Sequence, residues 1–507
     1  MELAEFAARE LKPYGFSFVQ IDDKWQMGKR RNGPGKNFTT HDPQGPYAHG
    51  MEAVAARLGA LGFTPGIWFM PFAGDHLDPY FRDHAEWFVK HSNGEFYETK
   101  WGGTSLDMTE LGAREHLRNV VKTIRSWGYR YFKMDGLWTG TATEQVYVND
   151  GYVEDGIGDA VFHNPDKTNI EAMRDGLKLV RQAARLDVFF SGCNLSQNMR
   201  SFSGSVGLVD SMRIGPDNGS DWPRDPNGAV VGSLLAGPLH GSRKYFLHGR
   251  VWWNDPDPIY VRAAMPLSHA RLIASWVAIS GQFYLNSDWL PGLPADRLDI
   301  IRRTIPSHGL LPRPVDLFEH PIPRIWLLSG LSAPARRDVI ALYNWDSEEK
   351  MIECPMDKIG LDGKRHYHAF DFWGNELLPP IQGTLHIAVP AQSCRILALR
   401  AASNQPQLLS TSRHVTQGIV DVVEERWDAS RSALLGWSKV VANDSYELRV
   451  IVPADPQVWK LKSAEVSAED QAAGVKVSSI KAEPSLLRIS VQSPASRELR
   501  WTLRFVH

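Results

Sequence analysis

The chain has 507 residues, of which 43% are hydrophobic and 22% are charged, as in ordinary globular proteins. Lys and Arg number 56 and Asp and Glu 58, so the formal net charge is −2. That balance gives no electrostatic reason to expect nucleic acid or an anionic membrane as a partner. No apolar run approaches the ~18 residues that a membrane-spanning helix needs. The first residues lack the basic start and apolar core of a signal peptide, and the sequence leaves the compartment undecided.

The first 300 residues alternate short apolar runs with amphipathic stretches, which predicts repeated β/α units. The predicted helices are Met1–Lys12, Met51–Leu61, Thr109–Trp127, Asn169–Arg185 and Ile259–Ile279. Seven predicted strands are Phe16–Ile21, Gly66–Pro71, Tyr129–Asp135, Asp187–Ser191, Leu208–Arg213, Tyr245–Trp253 and Gln282–Asn286. A closed barrel of this type has eight. Because the chain opens in a predicted helix, we expect the absent strand to be the first one.

Beyond Pro306 the pattern changes to short alternating runs separated by turn residues. Such runs favour antiparallel β-sandwich structure; examples are Arg324–Leu328, Asp338–Tyr343, His366–Phe370, Leu385–Val389 and Tyr446–Val452. We therefore predict a parallel (β/α)8-type barrel over 1–305, a β-sandwich domain over 306–400 and a second β-rich domain over 401–507.

Acidic residues gather where the predicted strands end. In a parallel barrel the carboxyl ends of the strands meet at one face, which carries the active site. A single aspartate at such a place is more often a helix cap. This chain has several: Asp22, Asp23, Asp135, Asp217, Asp221, Asp255, Asp257 and Asp288. Paired carboxyl groups are what glycoside hydrolysis requires, and the 18 Trp residues suit stacking on sugar rings, although most single Trp belong to the core.

Four motifs occur in order, each at a strand end: Asp22-Asp23-Lys24-Trp25, Lys133-x-Asp135, Arg213-x-x-x-Asp217 and Trp253-Asn-Asp-Pro-Asp257. Together they resemble the α-galactosidases of glycoside hydrolase families 27 and 36. The resemblance covers roughly 1–311 as barrel and the β-sandwich after it. The unit from Leu408 onward matches no family that we can name.

The resemblance implies a role for each matching residue. Asp135 would be the nucleophile and Asp217 the general acid and base, with Asp221 as its rival. Lys133 would donate a hydrogen bond to a sugar hydroxyl and help to keep Asp135 ionised. The remaining substrate-binding assignments are Asp22 and Asp23 on the C4 and C6 hydroxyls, Trp25 and Trp68 as pocket walls, Arg213 on hydroxyls or on Asp217, and Asn194 near C2.

Two departures from the family pattern bear on specificity. The family often has a bulkier Cys-Glu-Trp-like stretch where this chain has Cys193-Asn194-Leu195, so the C2 substituent stays open. A long loop from Trp138 to Asp166 follows the nucleophile and is expected to shape the leaving-group subsites; it contains Tyr147, Tyr152, Glu154, Asp155 and His163. We interpret Asn254, Asp255 and Asp257 as structural.

The resulting hypothesis is a retaining hydrolase of terminal α-D-galactosyl residues that acts on an oligosaccharide or glycoside by double displacement. The two carboxyl groups are then expected to lie about 5–5.5 Å apart. No metal or organic cofactor is expected, because double displacement requires none. The three cysteines form no zinc pattern, and the Asp-rich loops lack the spaced ligands of a calcium loop. The alternatives are an α-N-acetylgalactosaminidase or β-L-arabinopyranosidase on the same fold, a galactosyl transferase resembling raffinose synthases, and a non-catalytic carbohydrate-binding scaffold.

Overall fold

A computed structural model describes residues 1–143, 158–193, 199–223, 232–330, 336–453 and 458–506. The chain divides into two compact units, and each is described by itself. The first unit comprises Met1–Ala8, Ser17–Asp217 and Phe246–Asp257. The second comprises Arg9–Phe16, Asn218–Tyr245 and Pro258–His507. In the described part of the chain, no helix has the length and apolar character needed to cross a membrane.

The first unit is built on a six-stranded parallel sheet whose strands neighbour one another in chain order. They are β1 (Phe18–Ile21), β2 (Thr64–Phe69), β3 (Tyr131–Met134), β4 (Phe189–Gly192), β5 (Ser211–Arg213) and β6 (Trp253–Asp255). Parallel neighbours require a crossover between each pair. Helices occupy crossovers: Gly50–Ala60, Leu111–Ser126, Asn169–Ala184 and Met199–Gly204. This alternation is that of a (β/α)8-type barrel, so the predicted fold class is confirmed.

Local sequence explains where these helices begin. Thr168 and Glu171 form a capping box at the start of Asn169–Ala184, and the Glu110 side chain accepts from the Ala113 amide at the start of Leu111–Ser126. Such caps satisfy amide groups that have no partner inside the helix. The apolar faces of both helices bury residues in one core with the strands, including Leu117, Met173, Phe132 and Phe190.

Smaller elements complete the first unit. A two-stranded ribbon joins Gln26–Met27 to Asn37–His41, and a three-stranded sheet is formed by Ala73–Gly74, Gly103–Ser105 and Glu98–Thr99. Helix Glu2–Glu10 opens the chain. Turns of 3-10 helix occur in the first unit at Ala85–Trp87 and Leu137–Thr141 and in the second unit at Lys12–Tyr14, Leu290–Gly292 and Asp357–Ile359. A further turn, Tyr245–Leu247, spans the boundary between the units in the chain.

The second unit contains helices Ala236–Arg243, Leu267–Ser280, Ala295–Thr304 and Ala468–Ala472, and antiparallel sheets. The six-stranded sheet runs Arg313–Pro314, Ile325–Gly330, Arg337–Asn344, Ser393–Ala401, Tyr367–Asp371 and Glu376–Leu377. A two-stranded sheet pairs Lys350–Pro355 with Thr384–Val389. Two four-stranded sheets run Gln407–Thr411, Tyr446–Ile451, Leu486–Gln492, Lys476–Glu483 and Val422–Asp428, Ala433–Val440, Arg497–Val506, Lys460–Val466. The predicted antiparallel β structure after the barrel is confirmed.

Two sequence predictions in this region are corrected. The helix predicted over Ile259–Ile279 begins only at Leu267. Pro266 has φ −53° and ψ 141°, which is not helical. Its ring also disfavours helical backbone at the preceding residue, so the helix does not extend to the amino-terminal side of Pro266. The strand predicted at Gln282–Asn286 is reduced to one isolated parallel bridge between Ile259 and Asn286. The nearby backbone is held by a side chain instead, since Asp288 accepts from the Val261 amide at 2.6 Å.

Candidate active site

Asp135 follows β3 directly and is held by its neighbours on both carboxylate oxygens. Trp68 donates its indole N–H to Oδ2 at 3.0 Å, and the Gly136 amide donates to Oδ1 at 2.7 Å. The Asp135 amide donates to the carbonyl of Phe69, the last residue of β2, at 2.9 Å. Gly136 has φ +62°, a conformation that costs little only for glycine. The carboxyl group is therefore fixed at the carboxyl end of the sheet.

Burial raises the pKa of Asp135 above its ordinary value, against the opposing effects of Lys133, Trp68, Cys193 and Gly136. The sequence predicts that Lys133 favours the carboxylate, and its charge does act in that direction, but the effect of burial is larger. Burial also works against the charge of Lys133, yet the negative charges of Asp22 and Asp255 help to hold its pKa well above the usual range. The site thus holds the buried cation of Lys133 beside Asp135, whose ionised form is disfavoured by burial.

Asp217 stands in the opposite environment. Its side chain is 86% exposed, and Arg213, only 5% exposed at the end of β5, holds its Oδ1 through Nη2 at 2.7 Å. The other arm of the same guanidinium, Nη1, lies 2.9 Å from Asp257 Oδ1. The negative charges around Arg213, Asp257 first among them, raise its pKa although burial opposes this. A permanent cation therefore links an exposed carboxylate to a buried one.

Cys193 lies between these two groups. It follows β4, its thiol interacts with Asp135 and lowers the pKa of that carboxyl group, and Arg213 Nη1 is 3.8 Å from its sulfur. Burial raises the pKa of the thiol well above its usual value, so it is neutral and can donate its proton to the carboxylate. Cys193 was named in the stretch near the C2 substituent, but no role at Asp135 was predicted for it. Its position at the end of a strand could have indicated such a role, although a single cysteine has no spacing pattern that marks a site.

Asp22 and Asp23 follow β1. Asp22 is exposed and accepts from the Gln20 side chain at 2.5 Å and from the Asp23 amide at 2.9 Å. Asp23 Oδ1 accepts from the Lys24 amide at 2.6 Å and from Gln26 Nε2 at 2.7 Å. Asp22 thus presents its carboxylate to solvent near Lys133, on which its charge acts, whereas one Asp23 oxygen shapes the turn.

The two tryptophans assigned to the pocket wall are buried. Trp25 is 0% exposed and Trp68 1% exposed. The Trp25 ring packs on Phe38 and Trp127, and its N–H donates to the Trp68 carbonyl at 2.8 Å. Neither ring has an open face in this structure. Trp68 reaches the site through its N–H on Asp135 rather than through its ring surface.

Three further assignments are placed as follows. Asn194 lies outside the described residues, as do Tyr147, Tyr152, Glu154 and Asp155 of the loop after the nucleophile. Asp221 belongs to the second unit, where its carbonyl accepts from the Leu234 amide at 2.8 Å. The structure thus brings together Asp135, Lys133, Trp68, Cys193, Arg213 and Asp217 in the first unit.

Several solved structures share this fold. α-Galactosidase I from Mortierella vinacea is 17% identical with a TM-score of 0.52, and the match covers 79% of this chain and 93% of that chain. The α-galactosidase from Saccharomyces cerevisiae, solved with raffinose, is 15% identical with a TM-score of 0.54 over the same shares. A family 27 β-L-arabinopyranosidase from Geobacillus stearothermophilus is 14% identical with a TM-score of 0.56, covering 80% of this chain and 92% of its own. No protein-family model matches the chain.

At these identities the similarity establishes the fold. The chain has the architecture of the α-galactosidases, a parallel β/α barrel followed by antiparallel β-sandwich structure. The resemblance predicted from four short motifs is confirmed at that level.

Proposed function

We propose that the chain is a retaining glycoside hydrolase that removes terminal α-D-galactosyl residues from oligosaccharides or glycosides. The observation that carries the proposal is a pair of carboxyl groups that follow β3 and β5, two strands of one parallel sheet. Asp135 is held by Trp68 and Gly136 beside the buried Lys133, while Asp217 is exposed and bound to Arg213. Double displacement requires two carboxyl groups, one as nucleophile and one as general acid and base.

In the first step Asp217 gives its proton to the glycosidic oxygen while an oxygen of Asp135 attacks the anomeric carbon. The bond to the leaving group breaks as the ester to Asp135 forms. In the second step Asp217 removes a proton from water, the water oxygen attacks the same carbon, and the ester bond breaks. Two inversions give net retention. The cation of Lys133 and the N–H groups of Trp68 and Gly136 stabilise Asp135 as a carboxylate before attack and after release.

The choice of sugar rests on Asp22 and Asp23, two adjacent carboxylates at the end of β1. Each can accept from two hydroxyls, which would distinguish an axial C4 hydroxyl from an equatorial one. A second candidate is β-L-arabinopyranoside, since an enzyme with that activity shares the fold and that sugar has the same axial hydroxyl. α-N-Acetylgalactosaminide is a further arm of the test because the sequence Cys193-Asn194-Leu195 departs from the family pattern at the stretch that the resemblance assigns to the C2 substituent.

The test is hydrolysis of nitrophenyl α-D-galactopyranoside, α-N-acetylgalactosaminide, β-L-arabinopyranoside and α-D-glucopyranoside by the wild-type chain and by Asp135→Asn. We expect turnover of a galacto-configured substrate and a loss of kcat by about 10⁴-fold or more in the variant, the scale seen when a nucleophile is removed. Absence of turnover on all four substrates would overturn the proposal, and turnover of the glucoside alone would overturn the sugar assignment.

Azide rescue assigns the two roles. In Asp135→Ala, azide occupies the space left by the carboxylate and is expected to give the β-galactosyl azide, of inverted configuration. In Asp217→Ala, with an activated nitrophenyl leaving group, azide attacks the glycosyl-enzyme and is expected to give the α-galactosyl azide, of retained configuration. Asp221→Ala is the matched control and should need no azide. The same product from both variants, or rescue in Asp221→Ala alone, would contradict the assignment.

A further inference from the structure

Trp101 is an exposed tryptophan held in an unfavourable backbone conformation. It lies in the turn between strands Glu98–Thr99 and Gly103–Ser105, and 40% of its surface is exposed. Its φ is +63°, in the left-handed region that bulky residues rarely adopt, at a cost of about 1–3 kcal/mol. The surrounding structure must therefore hold the turn in place, and such residues gather at functional sites.

That support comes from the segment that follows Asp22 and Asp23. The Asn32 side chain accepts from the Trp101 amide at 2.8 Å and donates to the Thr99 carbonyl at 2.8 Å. Lys36, which is buried, donates to the carbonyls of Asn32 at 2.9 Å and Pro34 at 2.6 Å. The two Asn32 bonds hold the backbone from Thr99 to Trp101, and the Lys36 bonds hold the segment that carries Asn32.

The same turn packs on the residues that follow the nucleophile. Thr99 Oγ1 and Thr139 Oγ1 are 3.2 Å apart, and a Cβ on Gly102 would lie 2.2 Å from Thr139 Oγ1. The Trp101 ring leans on the Trp138 ring, with centroids 5.8 Å apart and planes tilted by 36°. Trp138 is three residues after Asp135, a separation that a chain spans in at most about 11 Å. Trp101 therefore stands beside the nucleophile turn with part of its ring open to solvent.

We propose that Trp101 binds the leaving-group sugar, the pyranose ring on the far side of the scissile bond. This inference rests on the proposed function. An open indole beside the nucleophile turn offers an apolar face to the C–H groups of a pyranose and an N–H at its edge for a hydroxyl. The held backbone and the contact of the ring with Trp138 limit the motion of the indole, so less conformational freedom is lost when the sugar binds.

The experiment compares Trp101→Ala with wild type on two substrates that carry the same terminal sugar, the one that wild type accepts, but different leaving groups. If that sugar is galactose, the substrates are melibiose, whose leaving group is a sugar, and α-D-galactosyl fluoride, whose leaving group is fluoride. We expect kcat/KM for melibiose to fall about tenfold, equivalent to ~1.4 kcal/mol, mainly through KM. The value for the fluoride should stay unchanged, and Trp101→Phe should keep most of the melibiose activity.

Trp253→Ala is the matched control. Trp253 is 39% exposed and its ring packs against His248, a residue with no role in the proposed mechanism, so its removal should leave both substrates unaffected. Equal losses of Trp101→Ala on both substrates would indicate a disturbed turn and overturn the inference, as would no loss on either. If wild type hydrolyses neither substrate, the proposed function itself fails, and this inference fails with it.

Discussion

At the scale of single residues, the burial of the Asp135 carboxyl group lowers the stability of the folded protein at neutral pH. Burial raises its pKa, so its charged form is disfavoured in the folded state, and stability is lost as the pH rises through the folded-state pKa. We expect Asp135→Asn to have a higher Tm than wild type at pH 7, by a few °C. The difference should shrink as the pH falls toward the ordinary aspartate value of about 3.8.

Thermal unfolding of the two proteins between pH 4 and pH 8 checks this prediction. The exposed Asp83→Asn removes one carboxylate elsewhere in the first unit and should change Tm little at any pH. A Tm for Asp135→Asn at or below that of wild type at pH 7 would show that the charge of Asp135 is not costly to the fold.

The candidate site also marks what sequence can predict at this scale. Asp135 and Asp217 could be singled out because the chemistry demands carboxyl groups and strand ends position them; their roles stay predictions. The burial of Trp25 could not be foreseen, since it depends on Phe38 and Trp127, which other segments bring to it. The contact of Cys193 with Asp135 likewise depends on the neighbouring placement of β3 and β4.

At the scale of elements, a buried carboxylate connects strands of three sheets in the second unit. Glu425, on Val422–Asp428, accepts from Arg337 and from Arg400 at 3.1 Å, and from the Leu408 amide at 2.9 Å. Burial opposes its charge, but the two arginines lower its pKa. We expect Glu425→Gln to destabilise the protein by about 3–5 kcal/mol, because two buried guanidinium groups lose their partner.

Chemical denaturation at pH 7 measures the effect. Glu424→Gln is the matched control, since this neighbour is exposed and its pairing with Arg426 spans 3.7 Å; such surface pairs contribute about 0–1 kcal/mol. Because the pKa of Glu425 is lowered, its contribution is present above the ordinary glutamate value and is lost as the pH falls through the folded-state pKa. A penalty for Glu425→Gln that persists unchanged in acid would argue against this account.

Element boundaries could be predicted where the local sequence pattern is strong. The prediction was wrong where a group distant in sequence supplies the hydrogen bonds of the backbone. Helix Asn169–Ala184 carries its own cap and was predicted to within one residue. The segment Gln282–Asn286 has the apolar pattern of a strand. The Asp288 side chain, however, accepts hydrogen bonds from the Val261 amide and the Arg262 side chain, where a strand pair would form backbone hydrogen bonds. Periodicity reports which residues are buried but not which partner satisfies the backbone.

At the scale of the whole molecule, the final β-rich segment belongs to the packing of the second unit. Phe370 and Ala398 share one buried cluster with Leu409, Ile451 and Leu486. Helix Ala295–Thr304 is tied to the same segment, because Arg303 donates to both carboxylate oxygens of Asp444 at 2.6 and 2.7 Å. The sequence predicts separate domains over 306–400 and 401–507, a division that stays a prediction. These contacts argue that the two regions unfold together.

Removal of residues 406–507 is therefore expected to prevent accumulation of soluble folded protein, since it uncovers Phe370 and Ala398 and removes Asp444 from Arg303 and Glu425 from Arg337. Asp444→Ala tests the same link in the full chain. It should lower stability by about 1–3 kcal/mol, because Arg303 loses both hydrogen bonds to Asp444 but keeps Asp299 as a partner at 3.1 Å. Asp428→Ala, at the end of strand Val422–Asp428, where the carboxylate accepts from the Ser430 amide and hydroxyl, is the control and should cost about 1 kcal/mol or less. Calorimetry decides between a segment integral to the second unit and a detachable module: full stability in the truncated chain, or an Asp444→Ala profile equal to wild type, would favour the detachable module.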